Sequence, residues 1–283
     1  MDGVLLINKE RDWTSRDVCN KIQKIMHTKS VGHTGTLDPF ATGLLVVTIN
    51  KANKIMQFTD DFKKTYVAKL KLGMKTDTGD LTGKIIKEED VKKYSLKEIE
   101  DVLNSFLGKI KQIPPMTSAV HHEGRKLYEI YHDGIEVERE AREIEIYSIK
   151  LLDYRDDIIT FETCASKGTY IRVLGEDIAE KLKTVGHLIE LERTKVGDLS
   201  LDKAIKIDEV KEDSPLISIS EVLTHFEKVM VSGEDKRMVL NGMTVKLEAK
   251  NDMVLIVDES NSSLAVYSRV NNRGYYHCYR GLW

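Results

Sequence analysis

One segment of the sequence combines a carboxylate, an imidazole and several small residues, so it could act on a bound ligand. It spans Val31–Gly43 and reads VGHTGTLDPFATG. Its glycines let the backbone approach a ligand closely, and Pro39 restricts the conformation of Asp38 before it. His33 supplies the imidazole. For a generic glycine-rich loop, a plain turn with an Asp-Pro corner is the more common explanation.

Patterns that bind nucleotide cofactors or metals are missing from the sequence. It contains no GxGxxG, GxxxxGK[ST], HExxH or GxSxG,. The neighbouring His121 and His122 would point in different directions on a regular element, which disfavours a shared metal. We therefore expect a reaction that runs on side chains alone, with no cofactor.

The cysteines and the apolar runs predict a cytoplasmic protein. Cys19, Cys164 and Cys278 are odd in number and far apart, which fits a reducing compartment rather than a disulfide framework. No stretch approaches the roughly 18–20 apolar residues that a membrane span needs. The start of the chain also lacks the basic, then apolar pattern of a signal peptide.

The net charge of −3 conceals two regions of opposite sign. Residues 1–86 carry 14 basic and 9 acidic groups, a net charge of +5, whereas residues 87–283 carry a net charge of −8. Because local patches bind nucleic acid and totals do not, the first third remains a candidate for contact with a polyanion.

Strands and single helices surround the loop without a regular βαβ period, which predicts an α+β fold built on a large antiparallel sheet. Alternation in Lys64–Leu72 predicts a half-buried strand with Tyr66 on the apolar face. Capping residues predict helices that begin at Thr14-Ser15 and at Ser95. The other predicted elements are strands at Val4–Asn8, Leu44–Ile49, Ile135–Leu152 and Ile158–Cys164, and helices near Leu127–Tyr131 and Tyr170–Lys183.

The tail changes character near residues 225–235. From Val229 it reads as short strands with Asn and Gly turns. Residues 260–283 contain three arginines and no acidic residue, interleaved with tyrosines and Trp283. Basic and aromatic side chains on strands suit contacts with RNA, but an ordinary β-module with a few surface arginines explains the stretch equally well.

The segment Val31–Gly43 resembles the catalytic loop of the TruB family of tRNA pseudouridine synthases. The pattern of that loop is close to V-G-H-x-G-T-L-D-P-x-A-x-G-x-L. The likeness extends to about residues 1–200, because four further family motifs recur in the same order. These motifs lie at Lys64–Gly73, Thr76–Gly83, Ser166–Asp177 and Leu191–Gly197. The resemblance implies a pseudouridine-synthase core with a large mixed, mainly antiparallel sheet flanked by helices at residues 1–225, and a small PUA-like RNA-binding module at residues 229–283.

The sequence departs from the family pattern at three places. The N-terminal K-P-x-G-x-T-S stands here as KERDWTS, so Glu10 and Asp12 replace Pro and Gly. Thr117 occupies a position that is usually aromatic, and His121 one that is commonly Lys. These changes affect the surroundings of the loop and not the loop itself.

The resemblance implies that the protein isomerises one uridine of the tRNA T-loop, at position 55, to pseudouridine. Asp38 would be the catalytic residue, acting either covalently or as a base on the sugar. Arg172 would pair with Asp38 and keep it anionic, and Asp80 would orient Arg172. The alternative for Arg172 is an ordinary ion pair.

The target base must leave its stack to react, and the resemblance assigns residues to this step as well. His33 would help to displace and hold the base. Tyr66 would stack on the uracil, and Tyr170 and Leu191 would complete the wall of the pocket. For Tyr66 and Leu191, packing in the core is the alternative.

The implied partner is tRNA, bound through its T-arm, with no membrane, no obligatory protein partner and a monomeric state. A second hypothesis is an RNA-binding or tRNA-folding protein whose catalysis is secondary or lost. A third is the catalytic subunit of a guide-RNA particle, which the short chain without long basic extensions disfavours.

Overall fold

The computed structural model describes residues 2–118 and 120–283, and its strands form two large sheets and two small hairpins. In chain order the strands are β1 (Gly3–Lys9), β2 (Val31–His33), β3 (Thr42–Ile49), β4 (Lys64–Leu72), β5 (Met74–Thr76), β6 (Ile85–Glu88), β7 (Gly108–Gln112), β8 (His121–His122), β9 (Arg125–Lys126), β10 (Arg142–Arg155), β11 (Ile158–Ala165), β12 (Gly186–Val196), β13 (Leu199–Ser200), β14 (Ile205–Lys206), β15 (Glu227–Met230), β16 (Val245–Lys246), β17 (Met253–Val257), β18 (Ser263–Arg269) and β19 (Tyr275–Gly281). The α-helices are α1 (Ser15–Ile25), α2 (Met56–Thr59), α3 (Leu96–Asn104), α4 (Leu127–His132), α5 (Ile171–Lys181), α6 (Ile219–Val222) and α7 (Gly233–Leu240). Within the described part of the chain, every helix is too short or too polar to cross a membrane.

The larger sheet has ten strands and confirms the expected α+β fold with a mixed, mainly antiparallel sheet. Its main path runs β14-β1-β3-β12-β4-β11-β10-β7, with β2 and β13 paired to β3 and β12. Only the pairs β1–β14 and β3–β12 are parallel. An isolated bridge between Val4 and Ile217 extends the contacts of β1 to a part of the chain that lies 213 residues later.

The strand β4 lies in the middle of this sheet and follows the alternation read from the sequence. Tyr66, Ala68, Leu70 and Leu72 are buried, while the residues between them are half-exposed. Their apolar side chains belong to one cluster with buried residues of α1, α3 and α5. Burial of a large apolar side chain contributes about 1.5–3 kcal/mol, so this cluster stabilises the sheet beneath the loop.

Both predicted helix starts are confirmed, and one predicted strand is wrong at its beginning. Thr14 and Ser95 each form a capping box with the acidic residue three positions later. The strand expected from Ile135 begins only at Arg142. The neighbouring β7 ends its pairing at Gln112, opposite Arg142, so the preceding residues have no strand beside them with which to form hydrogen bonds.

The second sheet contains five strands in the order β15-β17-β18-β19-β16. Its first strand begins at Glu227, and only β15–β17 is parallel. Buried residues of this sheet share one hydrophobic cluster with β1 and β3 of the larger sheet. Examples are Leu255 and Val266 from the tail, and Leu6 and Val46 from the core. The two sheets are therefore joined by apolar packing.

Candidate active site

The loop between β2 and β3 forms one wall of a cleft of about 750 Å³. The other walls come from the start of β4, the segment before β8, and the segments 166–172 and 191–193. Five of the seven residues predicted from the sequence line this cleft. They are Asp38, Tyr66, Tyr170, Arg172 and Leu191.

Asp38 and Arg172 form an ion pair at the floor of the cleft. Arg172 Nε lies 2.9 Å from Asp38 Oδ2, and Arg172 Nη2 donates to Asp38 Oδ1 over 3.4 Å. The Arg172 side chain is 5% exposed, whereas that of Asp38 is 34% exposed. The carboxylate is thus held from behind by a buried cation, and it faces the open side of the cleft.

Asp80 lies behind Arg172 and does not line the cleft. Its Oδ1 accepts hydrogen bonds from the Thr82 backbone N–H (2.9 Å), the Thr82 hydroxyl and the Thr78 hydroxyl. Its Oδ2 lies 3.5 Å from Arg172 Nη1. Because the loop around Asp80 saturates one oxygen, the other is left to face the guanidinium of Arg172.

Thr117 completes the surroundings of Arg172. Its hydroxyl accepts a hydrogen bond from Arg172 Nη1 over 2.7 Å, and its carbonyl accepts one from Nη2 over 3.4 Å. The carbonyl of Thr78 accepts the second Nη1 proton at 2.8 Å. The position where the sequence departs from the family pattern is therefore in direct contact with the predicted arginine.

The segment before α1 clamps the Asp38 loop from its N-terminal side. Lys9 is buried, and its Nζ donates to the carbonyls of Glu10, Trp13 and Pro39. Burial lowers the pKa of Lys9 to about 8, although Asp38 acts in the opposite direction. Lys9 thus ties three backbone carbonyls together beneath the loop.

Two further residues, Asp12 before α1 and Ser15 at its first position, bind the loop. The Ser15 hydroxyl donates to the carbonyl of Leu37 and accepts from the Leu37 N–H. The Asp12 N–H donates to Pro39 O over 2.8 Å, and Asp12 adopts a φ of 68°. Asp tolerates this left-handed conformation better than most residues, so it can stand where the family pattern has glycine.

Arg193 clamps the same loop from the sheet. It is 1% exposed, and its guanidinium donates to the carbonyls of Leu44 (2.8 Å), Gly35 (3.0 Å) and Thr36 (3.3 Å). Opposite Arg193 in the parallel pair stands Gly43, with a φ of 97°. A Cβ there would lie 2.4 Å from the Arg193 carbonyl oxygen, so only glycine allows this approach.

Aromatic and apolar side chains form the remaining walls. Tyr66 is 8% exposed and lies between Arg193 and Thr163 in the sheet. Tyr170 is fixed through its backbone, because its N–H and C=O both bond to the amide of Gln112. Leu191 is buried in the same apolar cluster as Tyr66. These three residues line the same cleft as the ion pair.

Lys64 lines the cleft as well, although the sequence analysis assigned it no role. Its Nζ donates to the carbonyl of Phe62 over 3.0 Å. Burial and the nearby Arg193 lower the pKa of Lys64 to about 8. The cleft therefore holds a cation whose charge is easily lost.

His33 is placed next to the cleft, but its side chain is not among the lining residues. It ends β2, and its Nδ1 accepts a hydrogen bond from the Gly35 N–H over 3.4 Å. Burial, followed by the positive charges of Arg193 and Arg16, lowers the pKa of His33. The imidazole is thus favoured in its neutral form.

The clamping roles of Lys9, Ser15 and Arg193 were not predicted from the sequence. All three lie inside the motifs described above, and each contacts the backbone of a distant segment: Lys9 at Pro39, Ser15 at Leu37, and Arg193 at Leu44. The one signal available was a charged residue within an apolar strand pattern, as Lys9 and Arg193 both are. Strand ends expose charges often enough that this signal alone is weak.

The aromatic and basic residues of the tail divide into two groups. Arg269 binds Asp252 and the carbonyls of residues 249–251, and it lies over the ring of Tyr276. Tyr267 and Tyr276 are fully buried. The second group is exposed on the surface and contains Arg273, Tyr275, Tyr279, Arg280 and Trp283.

Comparison with known proteins identifies the family. Residues 23–171 match the model of the TruB family pseudouridylate synthase (N terminal domain). "tRNA pseudouridine synthase B" of Clostridium tetani is 42% identical, over 94% of this chain and 92% of its own. The protein of the same name from Bacillus pumilus is 40% identical, over 95% of this chain and 93% of its own.

Solved structures agree in fold. The chain resembles a Cbf5-Nop10-Gar1 complex component with a TM-score of 0.75 and 24% identity, over 99% of this chain and 85% of that one. A component of an H/ACA RNP bound to a substrate RNA containing 2'-deoxyuridine gives a TM-score of 0.74 at 21% identity, with the same coverage. As its loop motifs predicted, the chain belongs to the TruB family of pseudouridylate synthases.

Proposed function

We propose that this protein converts the uridine at position 55 of the tRNA T-loop to pseudouridine. The observation that carries the proposal is the half-open Asp38 carboxylate, held by a buried Arg172 at the floor of the cleft. Family membership supports the reaction class, and the relatives named tRNA pseudouridine synthase B support tRNA as the substrate.

The reaction needs one anionic carboxylate near the sugar and the base. The glycosidic C–N bond breaks, the uracil rotates, and a C–C bond forms at C5, so the product is an isomer of the substrate. Asp38 acts either as a nucleophile or as a base on the sugar. Arg172 holds this carboxylate in place through an ion pair and a hydrogen bond. Asp80 fixes Arg172 from behind.

The uridine enters the cleft only after it has left its stack, at a cost of a few kcal/mol. Tyr66 offsets part of this cost by stacking on the base, a contact worth about 1–3 kcal/mol. Tyr170 and Leu191 close the apolar wall, and His33, neutral beside the cleft, helps to displace the base. The side chains carry the whole reaction in this scheme, without a cofactor.

Residues outside the cleft, above all in the tail, hold the RNA. We assign residues 1–225 to the catalytic domain and residues 229–283 to a PUA-like RNA-binding module. The exposed Arg273 and Arg280, with Tyr275 and Tyr279 beside them, are suited to phosphate and base contacts,. We propose that the protein acts as a monomer and needs no protein partner.

The test is tritium release from C5-labelled uridine in an isolated T-arm hairpin. We expect release without added guide RNA, and a loss of at least about 10³-fold in Asp38→Asn. Asp61→Asn is the matched control, because Asp61 is an exposed carboxylate nearby whose partner is Lys167. Full activity of Asp38→Asn would refute the role of Asp38.

The two alternative functions have their own outcomes in the same assay. If release required guide RNA, the protein would be the subunit of a guide-RNA particle. If the hairpin released no tritium but misfolded tRNA refolded faster with the protein, the RNA-folding function would replace the isomerase.

A further inference from the structure

The guanidinium of Arg172 is fully engaged by the protein. Arginine has five N–H donors. In Arg172 the donors meet Asp38 Oδ2 and Oδ1, the carbonyl of Thr78, and the hydroxyl and carbonyl of Thr117. Since each donor has a protein acceptor, this arginine acts by holding Asp38 rather than by binding RNA directly.

The grip of Arg172 on Asp38 is asymmetric. Oδ2 lies 2.9 Å from Nε, whereas Oδ1 lies 3.4 Å from Nη2. A hydrogen bond of 3.4 Å is longer than usual for a charged pair. Oδ1 is therefore the oxygen that is more available for chemistry.

The Thr117 hydroxyl lies at the other end of the guanidinium, 2.7 Å from Nη1. Because the guanidinium is planar and rigid, a short bond at Nη1 limits how the whole plane can turn. A turn toward Oδ1 would shorten the weak contact and lengthen the bond to Thr117. The threonine hydroxyl thus opposes a symmetric pairing with Asp38.

We propose that Thr117 is a positioning residue, whose hydroxyl fixes the plane of Arg172 so that Asp38 keeps Oδ1 available to the target nucleotide. The proposal rests on the proposed function for the identity of that nucleotide. The main-chain carbonyl of Thr117 contacts Arg172 as well, so a change of side chain removes the hydroxyl contact and leaves the carbonyl in place.

Two substitutions separate the hydroxyl from the shape of the side chain. Thr117→Val keeps the shape and removes the hydroxyl, while Thr117→Ser keeps the hydroxyl. In single-turnover assays we expect Thr117→Val to lower the rate constant at saturating RNA about tenfold, with KM within about twofold of wild type. Thr117→Ser should stay within about twofold in both.

A control and a double mutant exclude a merely structural effect. Thr184 is buried, lies outside the cleft, and its hydroxyl has no partner among the described residues. Thr184→Val should therefore leave the rate unchanged. In an Arg172→Lys background, Thr117→Val should cause less than about a twofold further loss, since the two residues act as one unit.

A measurement on the free protein does not depend on activity. We expect the ¹⁵N-correlated Nε–H signal of Arg172, assigned from its absence in Arg172→Lys, to shift and exchange faster in Thr117→Val but not in Thr117→Ser. An unchanged signal, or a Thr117→Val rate equal to wild type, overturns the inference. If the signal responds as expected but wild type does not isomerise uridine, the proposed function has failed and the contact stands.

Discussion

Replacement of Arg193 by Met tests whether this arginine holds the loop that carries Asp38. The substitution keeps an unbranched apolar side chain but removes the guanidinium, with its charge and three hydrogen bonds to Leu44, Gly35 and Thr36. Each charged hydrogen bond contributes about 1.5–3 kcal/mol, so the gross loss for three bonds is about 4.5–9 kcal/mol. The substitution also removes the cost of keeping the Arg193 charge away from water, and this offsets several kcal/mol of the loss.

The expected net effect is a loss of about 2–4 kcal/mol in the free energy of unfolding, measured by denaturant titration. For a chain of this size that corresponds to a fall in Tm of about 5–15 °C. The exposed Arg155, paired with Asp153, provides the control. Arg155→Met should change stability by less than about 0.5 kcal/mol.

The substitution should also change the electrostatics of the cleft in a definite direction. Arg193 lowers the pKa of both His33 and Lys64, so both pKa values should rise in Arg193→Met, as an NMR titration can measure. Amide exchange in residues 34–44 should become faster. A stability loss below about 1 kcal/mol, together with unchanged exchange and an unchanged His33 pKa, would refute the clamping role.

Three further predictions concern single side chains. Asp80→Asn should lower the rate constant and destabilise the fold by about 2–3 kcal/mol. The single amide oxygen of Asn would be used by Thr78 and Thr82, so its NH₂ group would face Arg172 in place of an acceptor. Equal thermal unfolding of variant and wild type would contradict this. Tyr66→Leu should weaken RNA binding by about 1–3 kcal/mol while Tyr66→Phe should not, as fluorescence anisotropy with a T-arm hairpin can show. Burial and the nearby Glu176 raise the pKa of Asp177 from 3.8 to about 6, so its ionisation opposes folding increasingly between these two pH values and fully above the higher one. Asp177→Asn should then raise stability at pH 7 by about 1–2 kcal/mol and change it little at pH 4; the same gain at both values would refute the reasoning.

The sequence predicted correctly those elements whose formation depends on residues near one another in the chain. The alternation around Tyr66 identified β4 because successive residues of a strand point to opposite faces of the sheet, and in β4 one of these faces is buried. Thr14 and Ser95 identified helix starts because their caps are formed with residues only three positions away. The error at Ile135 has the opposite origin, since the start of β10 depends on where the distant β7 ends.

Five of the seven predicted site residues line one cleft, whereas the residues that contact the loop backbone from behind were not predicted. Asp38 and Arg172 come from motifs 134 residues apart, and they meet in the structure. Arg193 donates to carbonyls about 150 residues earlier. Every residue has a main-chain carbonyl, so the sequence does not indicate which ones accept these bonds. Thr117 was noted only as a departure from the family pattern, because its contact with Arg172 depends on how the two segments fold together.

The position of β1 has a consequence for how the chain is made. Its partner β14 begins at Ile205 and its bridge is formed with Ile217, so both are synthesised long after β1. At a synthesis rate of about 5–20 residues per second, roughly 10–40 s pass before Ile217 has been added. During that time one edge of β1 remains open to other chains. A polypeptide truncated before residue 205 would leave this edge permanently unpaired, so we expect such fragments to aggregate.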